Sequence, residues 1–175
     1  MSAKLFVSQI SDSKKYSLRF IVISPFIFFL LFIILTSLIT PYLETRIIIA
    51  PYEWFNVLLG KICHQYPSHS FYIFGSNMGL CARCFSIYLG MLIFSVSIVY
   101  VKINVRWTLR LIIGLVFCIP LIIDGTTQLY QLRMSTNSIR LMTGLFAGFG
   151  ISIIWILDYI SFFINSIFRK QLNMI

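Results

Sequence analysis

The sequence predicts an all-α integral membrane protein, a bundle of four transmembrane helices with a structured outer loop. Of its 175 residues, 59% are hydrophobic and only 11% are charged, whereas a soluble domain carries about 25% charged residues. The mean hydropathy is +0.92. Apolar segments close to the roughly 20 residues needed to cross a bilayer recur along the chain. These observations indicate one compact membrane domain.

The apolar segments run over 20–39, 85–101, 109–123 and 141–157, and the last can be extended to Ile164. The third is shorter than the others and contains Pro120. The first is longer than the apolar core of a signal peptide, which has about 7–15 residues, and no small-residue cleavage site follows it. We therefore interpret it as a retained signal anchor.

The segments divide the chain into an amino-terminal tail (1–19), a membrane domain (20–164) with an outer loop (41–84), and a carboxy-terminal tail (165–175). Lys and Arg concentrate in cytoplasmic loops. Most of the cations lie in the two tails and in the loop between the second and third segments, and the rest are spread over much more chain. We therefore expect a multi-pass protein of the cell membrane with both termini in the cytoplasm.

The net charge of +9 does not indicate nucleic-acid binding, because the cations occur singly or in pairs between apolar runs. In a membrane protein this pattern reports topology. The lipid bilayer is the partner that the composition implies.

The outer loop contains the residues that most strongly predict chemistry. Cys63-His64-Gln65 is followed by His69 and then by Cys81-Ala82-Arg83-Cys84, so three of the four cysteines lie within 22 residues. Cysteine and histidine are ligands of metal sites, and cysteine is the nucleophile of redox sites. Because Cys81 and Cys84 lie just before the second span or within its first turn, its amide groups and positive dipole end should favour thiolates there.

The first hypothesis is a site for zinc or another transition metal. Cys63, Cys81 and Cys84 supply three sulfur ligands, and His64 or His69 supplies a fourth. His69 is sterically easier, because the adjacent side chains of Cys63 and His64 project in different directions. With one position open the ion could activate water, whereas with four protein ligands it would be structural.

Two alternatives remain for the same residues. In a thiol–disulfide oxidoreductase, Cys81 and Cys84 would cycle and Cys63 would resolve, with a quinone or a secreted protein as redox partner. The outer face of a membrane is the oxidising side, where such chemistry occurs. The cysteines of the loop could instead serve only to pack it. Cys118 is expected to pack as a small hydrophobic residue within the third span.

A second polar segment follows the third span, and topology places it on the same face as the cysteines. We interpret its polar residues, with two from the outer loop, as supporting the metal ligands or lining a polar site. They are Gln65, Arg83, Asp124, Gln128, Asn137 and Arg140. A small transporter or channel component, with Asp124, Gln128 and Arg140 lining the path, is a further alternative.

Each of these residues also has a structural interpretation. Asp124 with Gly125 is typical of a turn, and Asn137 or Ser135 could cap the fourth helix. Arg140 could pair with Asp124, bind an anionic head group or extend towards the interface.

Other segments predict local structure. Residues 51–63 read as an amphipathic helix with Trp54 and Leu59 on one apolar side. Residues 70–74 favour an extended conformation, and Gly75 lets the chain turn back. Gly144 and Gly148 predict a surface that another helix can approach closely.

The motifs resemble those of a family of small prokaryotic membrane proteins catalogued as a domain of unknown function. The resemblance covers roughly residues 63–150 and adds no activity. Its pattern contains Cys-His-Gln, Arg-Ser-Phe, Cys-Ala-Arg-Cys, Gly-Ile-Tyr-x-Gly, Asp-Gly-x-x-Gln and Ser-x-Asn-x-x-Arg-x-x-Thr-Gly. The chain departs from it at His69, where the family has arginine, and at Ser86, where the family has glycine.

Overall fold

The computed structural model describes residues 2–46, 49–101 and 106–172. Met1 and residues 47–48, 102–105 and 173–175 lie outside the described part, and so do the side chains of residues 2–16, 18, 49–50, 157 and 160–172. Lys102 and most of the tail cations used to predict orientation therefore lie outside it.

Five α-helices make up most of the chain. They are α1 (Ser2–Thr45), α2 (Ile49–Gly60), α3 (Ala82–Tyr100), α4 (Trp107–Leu129) and α5 (Asn137–Leu172). Segments of four of them, α1, α3, α4 and α5, are long and apolar enough to cross a membrane. The predicted all-α membrane fold with four spans is confirmed.

Two of the helices extend further than the sequence predicts. Helix α1 continues past Pro41 to Thr45, so the predicted outer loop begins inside a helix. Helix α4 contains Pro120 and continues to Leu129, so the turn expected at Asp124-Gly125 is wrong. The hydroxyl groups of Thr126 and Thr127 donate to helix carbonyls four residues earlier, so these polar side chains are satisfied within the apolar helix.

The spanning helices form a row in the order α1, α3, α5, α4. Glycines allow the central pair, α3 and α5, to approach closely. A Cβ atom placed on Gly90 would lie 2.6 Å from the carbonyl oxygen of Leu145, and one on Gly148 would overlap the carbonyl oxygen of Ile87. The close approach that the Gly144–Gly148 spacing predicts is therefore present.

The segment between α2 and α3 folds over one end of this row. A short 3-10 helix (Pro67–His69) leads into an antiparallel hairpin of β1 (Ser70–Ile73) and β2 (Ser76–Cys81). Phe74 and Gly75 form its turn with φ values of 51° and 85°, the conformation of a tight two-residue hairpin loop. The hairpin returns the chain directly to the start of α3.

Helix α2 contacts the bundle mainly through Leu59, which is fully buried. Trp54 is 80% exposed, and Val57 and Leu58 are also exposed. Of the apolar side predicted for this helix, Leu59 is therefore buried against the bundle, whereas Trp54 and Leu58 are exposed.

The two ends of the helix row differ. We call the end that carries α2, the hairpin and the start of α3 the cysteine end, and the opposite end the distal end. The distal core consists of Ile23, Ile27, Phe94, Ile98, Val99 and Ile156. Arg19 donates from Nη1 to the carbonyl oxygen of Val101 over 3.5 Å, which places the start of the first span beside the end of α3. All the predicted site residues lie at the cysteine end.

Candidate metal centre

The three loop cysteines meet at the cysteine end. Cys63 follows α2, Cys81 ends β2 and Cys84 lies in the first turn of α3. Their Sγ atoms all lie within 4.8 Å of one another. The four cysteines of the chain are free thiols, and Cys118 lies in α4, outside this cluster. The hairpin thus brings together sulfurs that are 18 residues apart in the sequence.

Backbone amides point at these sulfurs. Cys63 Sγ accepts hydrogen bonds from the amide groups of Gln65 (3.4 Å) and Cys81 (3.3 Å). Cys81 is the N-cap of α3, and its Sγ accepts from the amide of Cys84 at 3.4 Å. Amide donors and a helix N-terminus both stabilise the thiolate form. The expected orientation of the α3 amides towards the cysteines is observed.

The sulfurs also interact with one another. Hydrogen bonds from the thiols of Cys81 and Cys84, together with the two amide donors, lower the pKa of Cys63 below its usual range. The same contact with Cys63 raises the pKa of Cys81. The donors that surround Cys63 therefore favour its thiolate form.

Gln65 fixes the chain immediately after Cys63. Its backbone has φ of 51°, a left-handed conformation that turns the chain sharply. Its Nε2 atom donates to Oδ1 of Asn56 in α2 at 2.9 Å and to the carbonyl oxygen of Gly79 in β2 at 3.0 Å. One side chain therefore ties the segment that holds Cys63 to the strand that leads to Cys81.

Apolar side chains pack against one side of the cysteine cluster. Cys63 is 5% exposed and packs with the buried side chains of Ile33, Leu59 and Leu80, and Tyr88 adds to the same group. The amide of Leu80 donates to Oγ of Ser37 in α1 at 3.1 Å. The three sulfurs are thereby held against α1 and α3 and screened from water on this side.

The two histidines lie outside the sulfur cluster, and the rings of both contact Tyr66. The ring of His64 is stacked on Tyr66 with centroids 6.1 Å apart, and His69 lies 5.7 Å from it. Nε2 of His69 is 3.4 Å from Nε2 of Gln128. Burial and the charges of Arg140 and Arg83 lower the pKa of His69, which keeps its imidazole neutral near pH 7.

A cavity of about 470 Å³ adjoins the sulfurs. Three parts of the chain line it. The start of α3 contributes Cys81, Arg83 and Cys84, and the loop contributes His64, Tyr66 and His69. The end of α4 contributes Gly125, Gln128 and Leu129. Two of the sulfurs and both histidines therefore face one cavity, and a small ligand in it could reach them all.

Asp124 joins this cavity wall to the helices. It is 3% exposed, and its carboxylate accepts from Nη2 of Arg83 at 2.5 Å and from Nη2 of Arg133 at 3.3 Å. The same Arg83 atom donates to Oε1 of Gln128 at 3.0 Å. The buried carboxylate thus fixes the arginine of the Cys-Ala-Arg-Cys motif against α4.

Arg140 has a different role from those expected. It is 3% exposed and donates from Nη1 to Oδ1 of Asn137 at 2.9 Å and to the carbonyl oxygen of Ser68 at 3.5 Å. Both the predicted pair with Asp124 and the predicted extension to the interface are wrong, because Arg83 and Arg133 occupy that carboxylate.

Asn137 links α5 to the hairpin and does not cap its own helix. Its Nδ2 atom donates to the carbonyl oxygen of Ser70 at 3.0 Å. Thr136 takes the capping position expected for Asn137 or Ser135, because its Oγ1 accepts from the amide of Ile139 at 3.4 Å. The polar residues that precede the fourth span therefore hold the loop in place.

Ser86, one of the two departures from the family pattern, ties α3 to α5. Its buried Oγ donates to the carbonyl oxygens of Arg83 (2.9 Å) and Arg140 (3.3 Å). A glycine there would leave the helix contact intact and remove this bond.

Sequence reasoning missed several residues of this region. Tyr66 contacts the rings of both histidines, Asn56 anchors Gln65, and Arg133 shares Asp124 with Arg83. The pair between Arg133 and Asp124 could have been predicted from the sequence, because a cation nine residues after a buried acid can fold back to it. Asn56 gave no signal, because an amide in a short helix is ordinarily exposed.

Fold and site together define a four-span membrane protein with a thiol cluster and a polar cavity at one end. The chain belongs to the family described as "Predicted membrane protein (DUF2085)", whose model matches residues 63–154. The matched region begins at Cys63 and includes the cysteine cluster and the spans in α3 and α4. It also includes most of the span in α5, which covers Asn137–Ile156. The resemblance found from the motifs is confirmed.

Two archaeal relatives match, both described as uncharacterized proteins. One, from Methanocaldococcus jannaschii, is 48% identical over 94 residues, which are 50% of this chain and 57% of that protein. The other, from Methanothermobacter thermautotrophicus, is 38% identical over 94 residues, which are 53% of this chain and 83% of that protein. The chain thus spans little more than half the length of the first relative. No solved structure matches the chain.

Proposed function

We propose that this protein binds a transition metal, zinc in the first instance, through Cys63, Cys81 and Cys84 at the cysteine end. The observation that carries the proposal is the mutual approach of three sulfurs within 4.8 Å. Zinc–sulfur bonds of about 2.3 Å at tetrahedral angles place sulfurs roughly 3.8 Å apart. Closing the triangle around an ion therefore requires shifts of about 1 Å or less.

The environment of the sulfurs suits thiolate ligands. Three amide hydrogen bonds reach Cys63 and Cys81, and such bonds orient metal-bound thiolates and tune their charge. Arg83 and the buried Arg140 supply positive charge next to the cluster. Three thiolates with a divalent ion carry a net charge of −1, which these arginines offset.

The fourth coordination position points towards the cavity in this proposal. Cys81 and Cys84 line the cavity, and so do His64 and His69. Either histidine could move to close the site, or a water molecule could fill the position and be activated by the ion. We favour the open site, because His69 already contacts Gln128 and His64 is stacked on Tyr66.

The same sulfurs support the second candidate, a thiol–disulfide oxidoreductase. Oxidation of two thiols to a disulfide would release two electrons and two protons to an acceptor such as a quinone. The lowered pKa of Cys63 favours this residue as the attacking thiolate, in place of the resolving role expected for it. The cavity opens on Cys81 and Cys84, where a partner could enter.

The transporter alternative has the least support. Asp124 and Arg140 are buried and engaged with neighbouring groups, as residues that maintain structure are. Of the residues expected to line a path, Gln128 lines the cavity.

We further propose the predicted orientation in the cell membrane, with the cysteine end outside and both termini in the cytoplasm. The helix ends support the placement of both termini on one side, since α1 begins and α5 ends on the distal side. A green fluorescent protein fused after Ile175 should fluoresce, because this reporter folds in the cytoplasm. A dark fusion, with a periplasmic reporter active at the same site, would reverse the orientation.

Metal and thiol measurements on one preparation test the proposed function. The full chain is purified in detergent without chelator, and bound metal per chain is measured with free thiols before and after reduction. About one equivalent of metal and no reducible disulfide is the expected result. Absence of metal together with oxidised cysteine pairs would instead favour the oxidoreductase.

A further inference from the structure

Positive charge exceeds negative charge around the cavity. Arg83, Arg133 and Arg140 surround one carboxylate, Asp124. Arg83 and Arg133 pair with it, whereas Arg140 has no carboxylate within 4.0 Å among the described residues. Even when a metal-bound cluster contributes a net −1, this group of side chains keeps one positive charge unmatched.

Burial makes this excess costly. Arg140 is 3% exposed, and a buried cation needs compensating partners. The Nε atoms of Arg83 and Arg140 are buried without a hydrogen-bond partner in the described part of the chain. Of the two, Arg83 lines the cavity, so an anion bound there would compensate part of the excess charge.

The cavity offers the donors that an anion needs. Arg83 lines it, and so do Gln128 and His69, whose side chains also carry N–H groups. Its volume of about 470 Å³ lies in the range of small-ligand sites, roughly 300–1,000 Å³. A phosphate group fits with space left for the group to which it is esterified.

The rim adds an apolar side. Leu129 lines the cavity, and Tyr130, Leu132 and Met134 follow it with largely exposed side chains. These residues lie just past the end of a membrane span, at the level where lipid head groups meet water. An amphiphile could place its phosphate in the cavity and its chains along this rim.

We propose that the cavity binds a phosphate-class oxyanion, from a lipid head group or a soluble phosphate monoester, beside the cysteine cluster. Arg83 supplies the charge, and Gln128 and His69 supply hydrogen bonds. The anion lies next to the metal only if the proposed function holds, but binding of the anion does not require the metal.

Two probes distinguish the sources on the full-length protein. Inorganic phosphate binding is measured by equilibrium dialysis in detergent, and short-chain phosphatidic acid binding is measured by native mass spectrometry. Saturable binding of both probes indicates a site open to soluble phosphate. Binding of phosphatidic acid alone indicates a lipid head group. Failure of both probes to bind saturably overturns the proposal.

A charge-matched pair of variants locates the binding. Gln128→Glu places a carboxylate in the cavity while retaining an acceptor for Arg83, so binding should weaken more than about tenfold by like-charge repulsion. Arg46→Gln changes the net charge equally, but Arg46 lies over the ring of Tyr42 at the end of α1. Equal weakening by both variants would overturn the proposal.

A variant that is expected to bind more tightly separates an effect on the site from misfolding, because misfolding would only weaken binding. His69→Arg adds a cation to the cavity and should tighten binding of the bound probe severalfold, and unchanged or weaker binding by a folded variant counts against the site. Metal content is measured on the same samples. A protein that holds metal but binds neither probe disproves this inference alone, whereas a protein that binds a probe without metal disproves the proposed metal function alone.

Discussion

The cysteine end and the distal end of the bundle are stabilised in different ways. At the cysteine end, side chains from the loop, α3, α4 and α5 are connected by hydrogen bonds and ion pairs through Asp124, Arg83 and Asn137. At the distal end, apolar side chains such as Ile23, Phe94 and Ile156 pack in the core. The only ion pair described there joins Arg110 and Asp158 at 2.8 Å.

The two ends therefore differ in how well they tolerate substitutions. Apolar packing between spanning helices tolerates many residue combinations of similar volume. A polar network tolerates few, because removal of one partner leaves another buried group unsatisfied. The cysteine end therefore combines local rigidity with a cavity, which is what a binding site for a metal or an anion requires.

The largest expected effect comes from disrupting the close contact between α3 and α5, the two helices that run between both ends of the bundle. Gly148→Leu places a side chain against the carbonyl oxygen of Ile87 and the Cα of Gly90, which lies 3.0 Å from the position of the new Cβ. Because these are backbone atoms, α3 and α5 must separate, at a cost of about 3 kcal/mol or more. Loss of the monodisperse peak in size-exclusion chromatography measures it.

Gly125→Ala is the control, because a Cβ there meets nothing within 4 Å. This variant should gain up to about 1 kcal/mol from higher helix propensity. Equal behaviour of the two glycine variants would show that the contact between α3 and α5 is not tight.

A smaller effect, confined to the cysteine end, is expected from Asp124→Asn. The change preserves shape but leaves Arg83 and Arg133 without their counter-charge, and breaking a buried pair costs about 3–5 kcal/mol. Thermal unfolding in detergent should show a clear fall in Tm. The distal Asp158→Asn change removes a carboxylate that is 64% exposed, and it should cost about 1 kcal/mol or less. A larger loss for Asp158→Asn would contradict the contrast between the ends.

The smallest effect on stability is expected from Gln65→Ala, which should change the site more than the fold. It removes the bonds to Asn56 and Gly79 that position Cys63. Metal affinity should fall about 10–100-fold, as for other residues that orient ligands. Competition with a chelator measures it, and Asn77→Ala in the same hairpin, whose side chain has no described hydrogen bond, serves as the control. Equal losses for both would argue that Gln65 has no special role.

Much of the fold follows from residue patterns along the chain. Apolar length predicts the spans, and the spacing of Gly144 and Gly148 predicts the close helix contact. The extended segment at residues 70–74 and the turn at Gly75 are also recognisable. The bounds of α4 were harder to predict, since Asp and Gly favour a turn in isolation, whereas here the helix continues through them and the hydroxyl groups of Thr126 and Thr127 bond to its carbonyls.

The site is only partly readable from sequence. Local spacing predicts that Cys81 and Cys84 lie together, and the joining of two polar segments follows from topology. The partner of Arg140 does not, because its choice between Asp124 and Asn137 depends on the position of Arg133 across the loop. The placement of the histidines depends on the left-handed turn at Gln65, which an ordinary residue rarely adopts.

The most direct test of the account is X-ray absorption spectroscopy of the metal bound to the purified protein. The account predicts three sulfur ligands at about 2.3 Å and one nitrogen or oxygen ligand at about 2.0 Å, unchanged by Cys118→Ser and lost in Cys63→Ser. A metal surrounded only by nitrogen and oxygen, or a signal that survives Cys63→Ser with its sulfur count intact, would contradict it.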